Sequence, residues 1–245
     1  MMHMIASSST AQRAEARSAV HRLAAVAFGH PVPEFQQALE DGRFHAAFND
    51  AWFQVTGRAW PQPPSSPDFV TLEAGYIDAF MHGRAGKPRV PLLGGEYDAL
   101  LAGQNRPAFM LNVRAFYAHF GLQAATADEG RPEEPDHLSD MLEFMAVLCH
   151  LEARALARGA DAAGYRRAQR DFLHRYLAPL LEAIQASVAA ESNLNLDPTL
   201  LRLIQDLPAW CRSQAVELEA QVGTYDGQPA TASQRARSLD QNLWS

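Results

Sequence analysis

The chain contains little cysteine and no long hydrophobic run. Only two of its 245 residues are cysteines, Cys149 and Cys211, which are too few for a disulfide framework or a cysteine-rich zinc site. Both occur in apolar, helix-like stretches, so we expect two buried thiols in a reducing compartment. No segment approaches the ~20 consecutive apolar residues that cross a bilayer, and residues 1–10 lack the basic and apolar regions of an export signal. These absences predict a cytoplasmic protein without a membrane span.

Positive charge is also scarce. The 21 lysines and arginines are outnumbered by 28 aspartates and glutamates, which gives a formal net charge of −7 at pH 7. So acidic a surface cannot neutralise a phosphate backbone broadly, and we therefore expect no nucleic acid partner. It suits a basic partner better. Apolar residues make up 47% of the chain, enough for the core of one large domain or two small ones.

The sequence patterns of several enzyme classes are missing. Neither phosphate-binding glycine pattern, G-x-x-x-x-G-K-[ST] or G-x-G-x-x-G, is present. The nucleophile pattern G-x-S-x-G and the zinc pattern H-E-x-x-H are missing too. A di-iron bundle needs two Glu-x-x-His pairs, whereas the sequence has one, Glu134 to His137, with Pro135 inside it. We therefore predict no catalytic residues, no metal site and no obligatory cofactor.

Helical periodicity extends over almost the whole chain, and no stretch alternates strictly between polar and apolar residues as a strand would. The patterns predict helices over residues 11–28, 34–56 with a break at Asp41-Gly42, 67–82 capped by Ser66, 96–101, 106–120, 135–158, 161–190 with a kink near Pro179, 196–207 and 209–221. The predicted fold class is therefore all-α, a single globular bundle of about ten helices.

The predicted bundle occupies residues 1–222. It divides into N-terminal helices in residues 1–121, an acidic hinge in residues 122–134 and C-terminal helices in residues 135–222, because the hinge segment is polar and rich in carboxylates. Residues 223–245 are polar, and we expect them to form a frayed tail.

The most informative segment lies where the acidic hinge meets the next helix. On a helix that begins at Pro135, one face is apolar, and Asp136, Asp140 and Glu143 fall nearly opposite it at i, i+4 and i+7. Two interpretations fit this pattern. One is a well-capped amphipathic helix with a solvated outer face, and the other is an acidic docking edge beside an apolar groove. Composition does not separate them.

Three motifs in this order resemble the TorD/DmsD/NarJ family of all-helical chaperones for molybdenum enzymes. Glu96-Tyr97-Asp98-Ala99-Leu100-Leu101 is similar to the family's Glu-Tyr-x-x-Leu-Phe helix. Glu134-Pro135-Asp136-His137-Leu138 resembles its Glu-Pro-x-Asp-His helix start, and residues 172–180 resemble its His-Leu-x-Pro-Trp segment. The resemblance extends over about residues 72–214 and is greatest to chaperones of the type II DMSO-reductase group.

The resemblance implies a cytoplasmic chaperone with no catalytic role. Such a protein binds the twin-arginine signal peptide and the apo-form of a molybdopterin oxidoreductase catalytic subunit, aids cofactor insertion and delays export until the subunit is folded. Contacts with molybdenum-cofactor synthesis proteins fit the same role. The expected state is a monomer or a dimer that swaps helices across the hinge.

The residues that match the motifs are the candidate signal-peptide-binding residues: Glu134, Pro135, Asp136, His137, Asp140, Glu96 and Tyr97. For Glu96 and Tyr97 an alternative is a simple helix start with Tyr97 packed inside. Two other functions stay open for the whole chain. One is a metal- or nucleotide-dependent helical hydrolase, and the other is a generic helical protein–protein adaptor.

Overall fold

The computed structural model describes residues 2–82, 86–122 and 134–227, with side chains from residue 9 onward. The helices in these ranges are α1 (Met2–Phe28), α2 (Pro33–Glu40), α3 (Arg43–Thr56), α4 (Phe69–Phe80), α5 (Asp98–Leu101), α6 (Arg106–His119), α7 (Leu138–Ala157), α8 (Ala163–Phe172), α9 (Ala178–Ala190) and α10 (Pro198–Val222). A single 3-10 turn, Gly94–Glu96, precedes α5, and a π turn, Leu173–Leu177, joins α8 to α9 without a break.

The predicted all-α fold is confirmed. With α8, the π turn and α9 counted as one helix, the described ranges form nine continuous helices and contain no strand. The predicted break at Asp41-Gly42 separates α2 from α3, because Gly42 adopts a left-handed φ of 76° that a helix interior does not use. The irregularity expected near Pro179 is the π turn, which ends two residues before this proline, a residue that has no backbone N–H to donate.

The prediction that Ser66 caps the fourth helix is wrong. Asp68 is the N-cap of α4, and its carboxylate accepts a hydrogen bond from the Thr71 amide at 2.7 Å. Ser66 is buried instead, and its amide and hydroxyl donate to Asp197 Oδ2 at 2.8 and 2.6 Å. The loop before α4 is therefore tied to the start of α10.

The prediction of two helices at residues 196–207 and 209–221 is also wrong, because α10 runs through Pro208. A proline inside a helix leaves the carbonyl four residues earlier without its backbone donor. Here that carbonyl belongs to Ile204, and it accepts a hydrogen bond from the Gln185 side chain of α9 at 3.3 Å. A side chain of the neighbouring helix thus supplies the donor that proline lacks.

The two halves of the chain share one core. The N-terminal α1 packs along α7, where the Ser18 hydroxyl donates to the Ala146 carbonyl at 2.8 Å, and His21 contacts Gln214 of α10 at 3.0 Å. Within this core, a cluster of aromatic side chains packs α6 against α7 and α8; its members are Phe109, Phe116, Tyr117, Phe144, Phe172 and Tyr176. This cluster fixes the position of α6.

The predicted acidic hinge and tail lie largely outside the described residues, which omit 123–133 and 228–245. Residues 223–227, assigned to the frayed tail, are held against the bundle. Arg170 donates to the Gly223 carbonyl at 2.6 Å, and the ring of Tyr225 stacks on His174 with 5.1 Å between centroids.

Candidate functional site

The three-residue turn Gly94–Glu96 pairs with the segment that precedes α7. The Gly94 amide donates to the Asp136 carbonyl, and the Leu138 amide donates to the Leu92 carbonyl, each at 2.9 Å. These two bonds flank an isolated antiparallel bridge between Leu93 and His137. Two of the motifs identified in the sequence, about 40 residues apart, therefore lie side by side.

Asp136 is fully buried beneath this turn, with no exposed surface. Its Oδ2 accepts a hydrogen bond from the Gly95 amide at 2.7 Å, so the carboxylate fastens the turn from inside. Its other oxygen, Oδ1, is also buried and has no hydrogen-bond partner within residues 2–82, 86–122 and 134–227. The exposed position expected for Asp136 is therefore wrong. It precedes the helix, so the periodicity that assigns helix faces does not apply to it.

The helix that follows begins later than predicted. His137 is the N-cap of α7, and its Nδ1 accepts from the Ser139 amide at 3.2 Å, so the helix starts at Leu138 and not at Pro135. Pro135 is buried, and its carbonyl accepts a hydrogen bond from the Tyr117 hydroxyl at 2.7 Å. Burial raises the pKa of Tyr117 well above its ordinary value, which keeps this donor protonated.

An arginine that the sequence analysis did not select lies over the turn. Arg106, the first residue of α6, forms an ion pair with Glu96, and its Nη2 lies 3.7 Å from Glu134 Oε1. All three side chains are partly exposed, at 35% for Arg106, 43% for Glu96 and 29% for Glu134. A guanidinium of the chain itself therefore occupies the space between two of the predicted binding carboxylates.

Gly95 allows this arrangement because it has no side chain. A Cβ at this position would lie 2.6 Å from Arg106 Cγ and 2.9 Å from Asp136 Oδ2, both closer than real Cβ contacts. The buried carboxylate and the partly exposed arginine thus both lie close to the same backbone position. The glycine pair next to Glu96 in the sequence was the only local signal of this close approach.

The other two predicted site residues have different surroundings. The hydroxyl of half-buried Tyr97 donates to the Pro91 carbonyl at 2.8 Å, and burial raises the pKa of Tyr97. Asp140 is half-buried in the first turn of α7, with Oδ1 3.4 Å from the Ser139 hydroxyl. A carboxylate there is stabilised by the positive end of the helix dipole. The structure brings Glu134, Asp136 and Glu96 to one turn, and it directs the Tyr97 hydroxyl into the adjoining loop.

The described residues offer little for catalytic chemistry. No group of three or more His, Cys, Asp or Glu side chains among them is placed to hold a metal ion. Cys149 and Cys211 are free and buried, as predicted, and burial raises the pKa of the Cys149 thiol to about 12. A thiol with so high a pKa is not a nucleophile at neutral pH. No helix within the described ranges has the length and apolar character to span a membrane.

The chain is similar to a known protein family and to known assembly chaperones. Residues 27–185 match the family described as the nitrate reductase delta subunit. The dimethyl sulfide dehydrogenase assembly chaperone of Rhodovulum sulfidophilum is 52% identical over 233 residues, which are 95% of this chain and 93% of that protein.

Two further relatives are more distant. The selenate reductase assembly chaperone of Thauera selenatis is 35% identical over 69% of this chain and 83% of its own length. The chlorate reductase assembly chaperone of Ideonella dechloratans is 32% identical over 64% of this chain and 77% of its own length. No solved structure matches the chain significantly.

Proposed function

This chain belongs to the nitrate reductase delta subunit family, the TorD/DmsD/NarJ group of molybdoenzyme assembly chaperones, and we propose that it binds the twin-arginine leader of a molybdopterin-containing catalytic subunit. The names of the relatives support a system-specific chaperone role for this chain. Its client is an oxidoreductase of the group that these relatives serve. It holds that subunit in the cytoplasm while the cofactor is inserted, delays its export and has no catalytic role.

The main support from the structure is the position of Arg106. A twin-arginine leader presents guanidinium groups, and the turn at residues 94–96 already accommodates one between Glu96 and Glu134. Arginine's planar fork matches the geometry of carboxylates, which lysine does not. A leader arginine that displaces Arg106 would meet both carboxylates without further rearrangement of the backbone.

The other candidate residues have supporting roles in this proposal. Asp136 is a positioning residue because its buried Oδ2 holds the Gly95 amide and so fixes the turn. His137 caps α7, whose first turn carries Asp140. Pro135 anchors the segment on Tyr117, and Tyr97 anchors the loop at Pro91.

The typical free energies of ion pairs and of apolar burial indicate how much each contributes to leader binding. Each exposed arginine–carboxylate pair contributes only ~0–1 kcal/mol. Apolar burial contributes roughly 25 cal/mol per Å2 before the costs of ordering the peptide. We therefore expect the apolar part of the leader to supply most of the affinity, and the carboxylates to select arginine and set the register of the peptide.

The test is calorimetric titration of the full chain with the leader peptide of a molybdoenzyme catalytic subunit from the same host. We expect the double variant Glu96→Gln/Glu134→Gln to weaken binding about tenfold, since two such pairs together are worth about 1.4 kcal/mol. A leader with both arginines changed to lysine should lose a similar factor on the native chain.

The matched control is Glu34→Gln/Glu40→Gln, which removes the same number of carboxylates from α2. An equal loss in this control, or unchanged affinity in the site variant, would contradict the proposal. A separate variant, Asp136→Asn/His137→Ala, tests the segment before α7. If its helicity is intact by circular dichroism and its affinity is unchanged, these two residues do not position the peptide site.

A further inference from the structure

A second surface feature lies at the other end of α6. A groove of about 700 Å³ runs between α6 and α8, and we call it the α6–α8 groove. Its apolar lining includes Phe116, Phe120 and Ala168, and its rim includes Arg167 and Arg175. The proposed leader site is at the first residue of α6, whereas this groove follows the last two turns of the same helix.

The two arginines of the α6–α8 groove carry charge that the described residues do not neutralise. The Arg175 guanidinium carbon lies 5.6 Å from the Phe116 ring centroid and 5.0 Å from that of Tyr176. Within the described ranges, neither Arg167 nor Arg175 forms an ion pair with a carboxylate. The one carboxylate in the lining, Asp171, is paired with Arg170 at 2.7 Å. A protein with a net charge of −7 thus presents a locally positive groove.

The groove also continues onto exposed apolar surface. Phe116 and Phe120 are only half-buried, although each packs against aromatic neighbours. Leu111 is 64% exposed, and with Ala115 and Ala118 it forms a row at i, i+4 and i+7 along α6. Exposed apolar surface that is contiguous with a groove is a feature of surfaces that bind another protein.

We propose that the α6–α8 groove binds an acidic amphipathic helix of a partner protein. The apolar face of such a helix would cover Phe116, Phe120 and Leu111, and its carboxylates would face Arg167 and Arg175. A groove between two helices accommodates a third helix through anchors at i, i+3 or i+4 and i+7. The positive rim selects against the basic leader, so this site is separate from the proposed leader site and does not depend on it.

The first experiment uses two synthetic peptides of about 15 residues, the length at which an isolated helix becomes stable. Both carry leucine at helical spacing on one face; the other face carries glutamate in one peptide and lysine in the second. Calorimetry with the full chain should detect binding of the glutamate peptide and weaker or no binding of the lysine peptide. No binding of the glutamate peptide, or equal binding of both, overturns the proposal.

The second experiment reverses the charge of the rim. In Arg167→Glu/Arg175→Glu we expect about a tenfold loss for the glutamate peptide and a gain for the lysine peptide. A merely structural role for the arginines would not produce that gain. Because Arg175 contacts two aromatic rings, the single variant Arg167→Glu keeps those contacts and should show the same trend at about a third of the size.

The control is Arg22→Glu, an exposed arginine on α1 that does not line the groove. It should leave both peptide affinities unchanged, and a matching loss in this control overturns the proposal. Leu111→Ser should weaken the glutamate peptide several-fold if the apolar row takes part. Should the chain instead form a dimer in sedimentation that the double reversal dissociates, the groove is a contact between copies and the proposal is wrong.

Discussion

The two ends of α6 have opposite electrostatic character. At its start, the carboxylates of Glu96 and Glu134 surround Arg106, beside a turn fastened by buried Asp136. At its end, Arg175 lies on aromatic rings and Arg167 has no carboxylate partner in the described part of the chain. With a rise of 1.5 Å per residue, the two ends of this 14-residue helix are about 20 Å apart.

This difference follows the dipole of the helix itself. Negative groups are favoured near a helix N-terminus and positive groups near its C-terminus. The same arrangement would let α6 contact a basic segment at one end and an acidic segment at the other. The lesson is that a net charge of −7 describes neither end, because the local partners of each side chain decide what the surface can bind.

Acid should destabilise the fold that positions both ends of α6, because His21 is protonated in the unfolded state before it is protonated in the folded state. Burial lowers the pKa of His21 from 6.5 to about 4, so the folded state keeps the ring neutral where the unfolded state protonates it. Stability is therefore full above pH 6.5 and falls as the pH decreases towards 4. We expect a loss of about 2 kcal/mol between pH 7 and pH 5, measured by urea unfolding. In His21→Asn the difference between these two pH values should shrink by a similar amount.

A pair of glycine substitutions compares the packing of the two ends. Gly95→Ala places a methyl group against Arg106 and Asp136, and we expect a loss of about 1–3 kcal/mol in the free energy of unfolding. Gly164→Ala, in the lining of the α6–α8 groove, meets no atom within 4 Å and lies in a helix. It should raise stability by about 0.5–1 kcal/mol. Equal effects in thermal unfolding would mean that the turn at Gly95 is not tightly packed.

Removing Arg106 tests whether this arginine competes with the leader at the acidic start of α6. In Arg106→Gln the leader no longer has to displace a guanidinium, so we expect leader affinity to rise by about fivefold, or ~1 kcal/mol. Arg114→Gln removes one positive charge from the same helix, farther from the turn, and is the control in the same calorimetric titration. A lower affinity in Arg106→Gln would mean that Arg106 supports the peptide instead of occupying its place.

The smallest expected effect concerns the basic end. Arg175→Gln removes a cation from two aromatic faces and should lower the free energy of unfolding by about 0.5–1 kcal/mol. Arg167→Gln lies on the same rim but has no ring contact, so its effect should stay within about 0.5 kcal/mol. Chemical denaturation of the two variants side by side measures the difference. A larger loss for Arg167→Gln would contradict the assigned contacts.

The sequence analysis identified the helices well where the decisive interactions are local. Periodicity and end signals predicted α6 at residues 106–120, within one residue of its observed end, and glycine chemistry predicted the break before α3. It failed where a distant residue decides the outcome. α10 continues through Pro208 because Gln185 of another helix hydrogen-bonds the Ile204 carbonyl, and nothing near Pro208 in the sequence indicates that donor.

In the candidate site, too, the sequence indicated the local features and missed the interactions between distant segments. The motifs selected both Glu96 and Glu134 as candidate binding residues, and in the structure both carboxylates lie beside Arg106. The burial of Asp136 depends on the Gly95 amide, 41 residues earlier in the chain, and Arg106 completes the site from a third segment. A helical projection assigns faces only to residues inside the helix, so it placed Asp136 on the wrong side.

Because Gly95 has no side chain, a buried carboxylate and a partly exposed arginine can both lie against the backbone at this position. A Cβ there would press both on a carboxylate oxygen that water does not reach and on the methylene groups of a partly exposed arginine. A leader that displaces Arg106 would therefore open space beside this glycine, while the hydrogen bond from the Gly95 amide to Asp136 Oδ2 stays in place. Occupation of the leader site would thus change the surroundings of a backbone position that is bonded directly to a buried carboxylate.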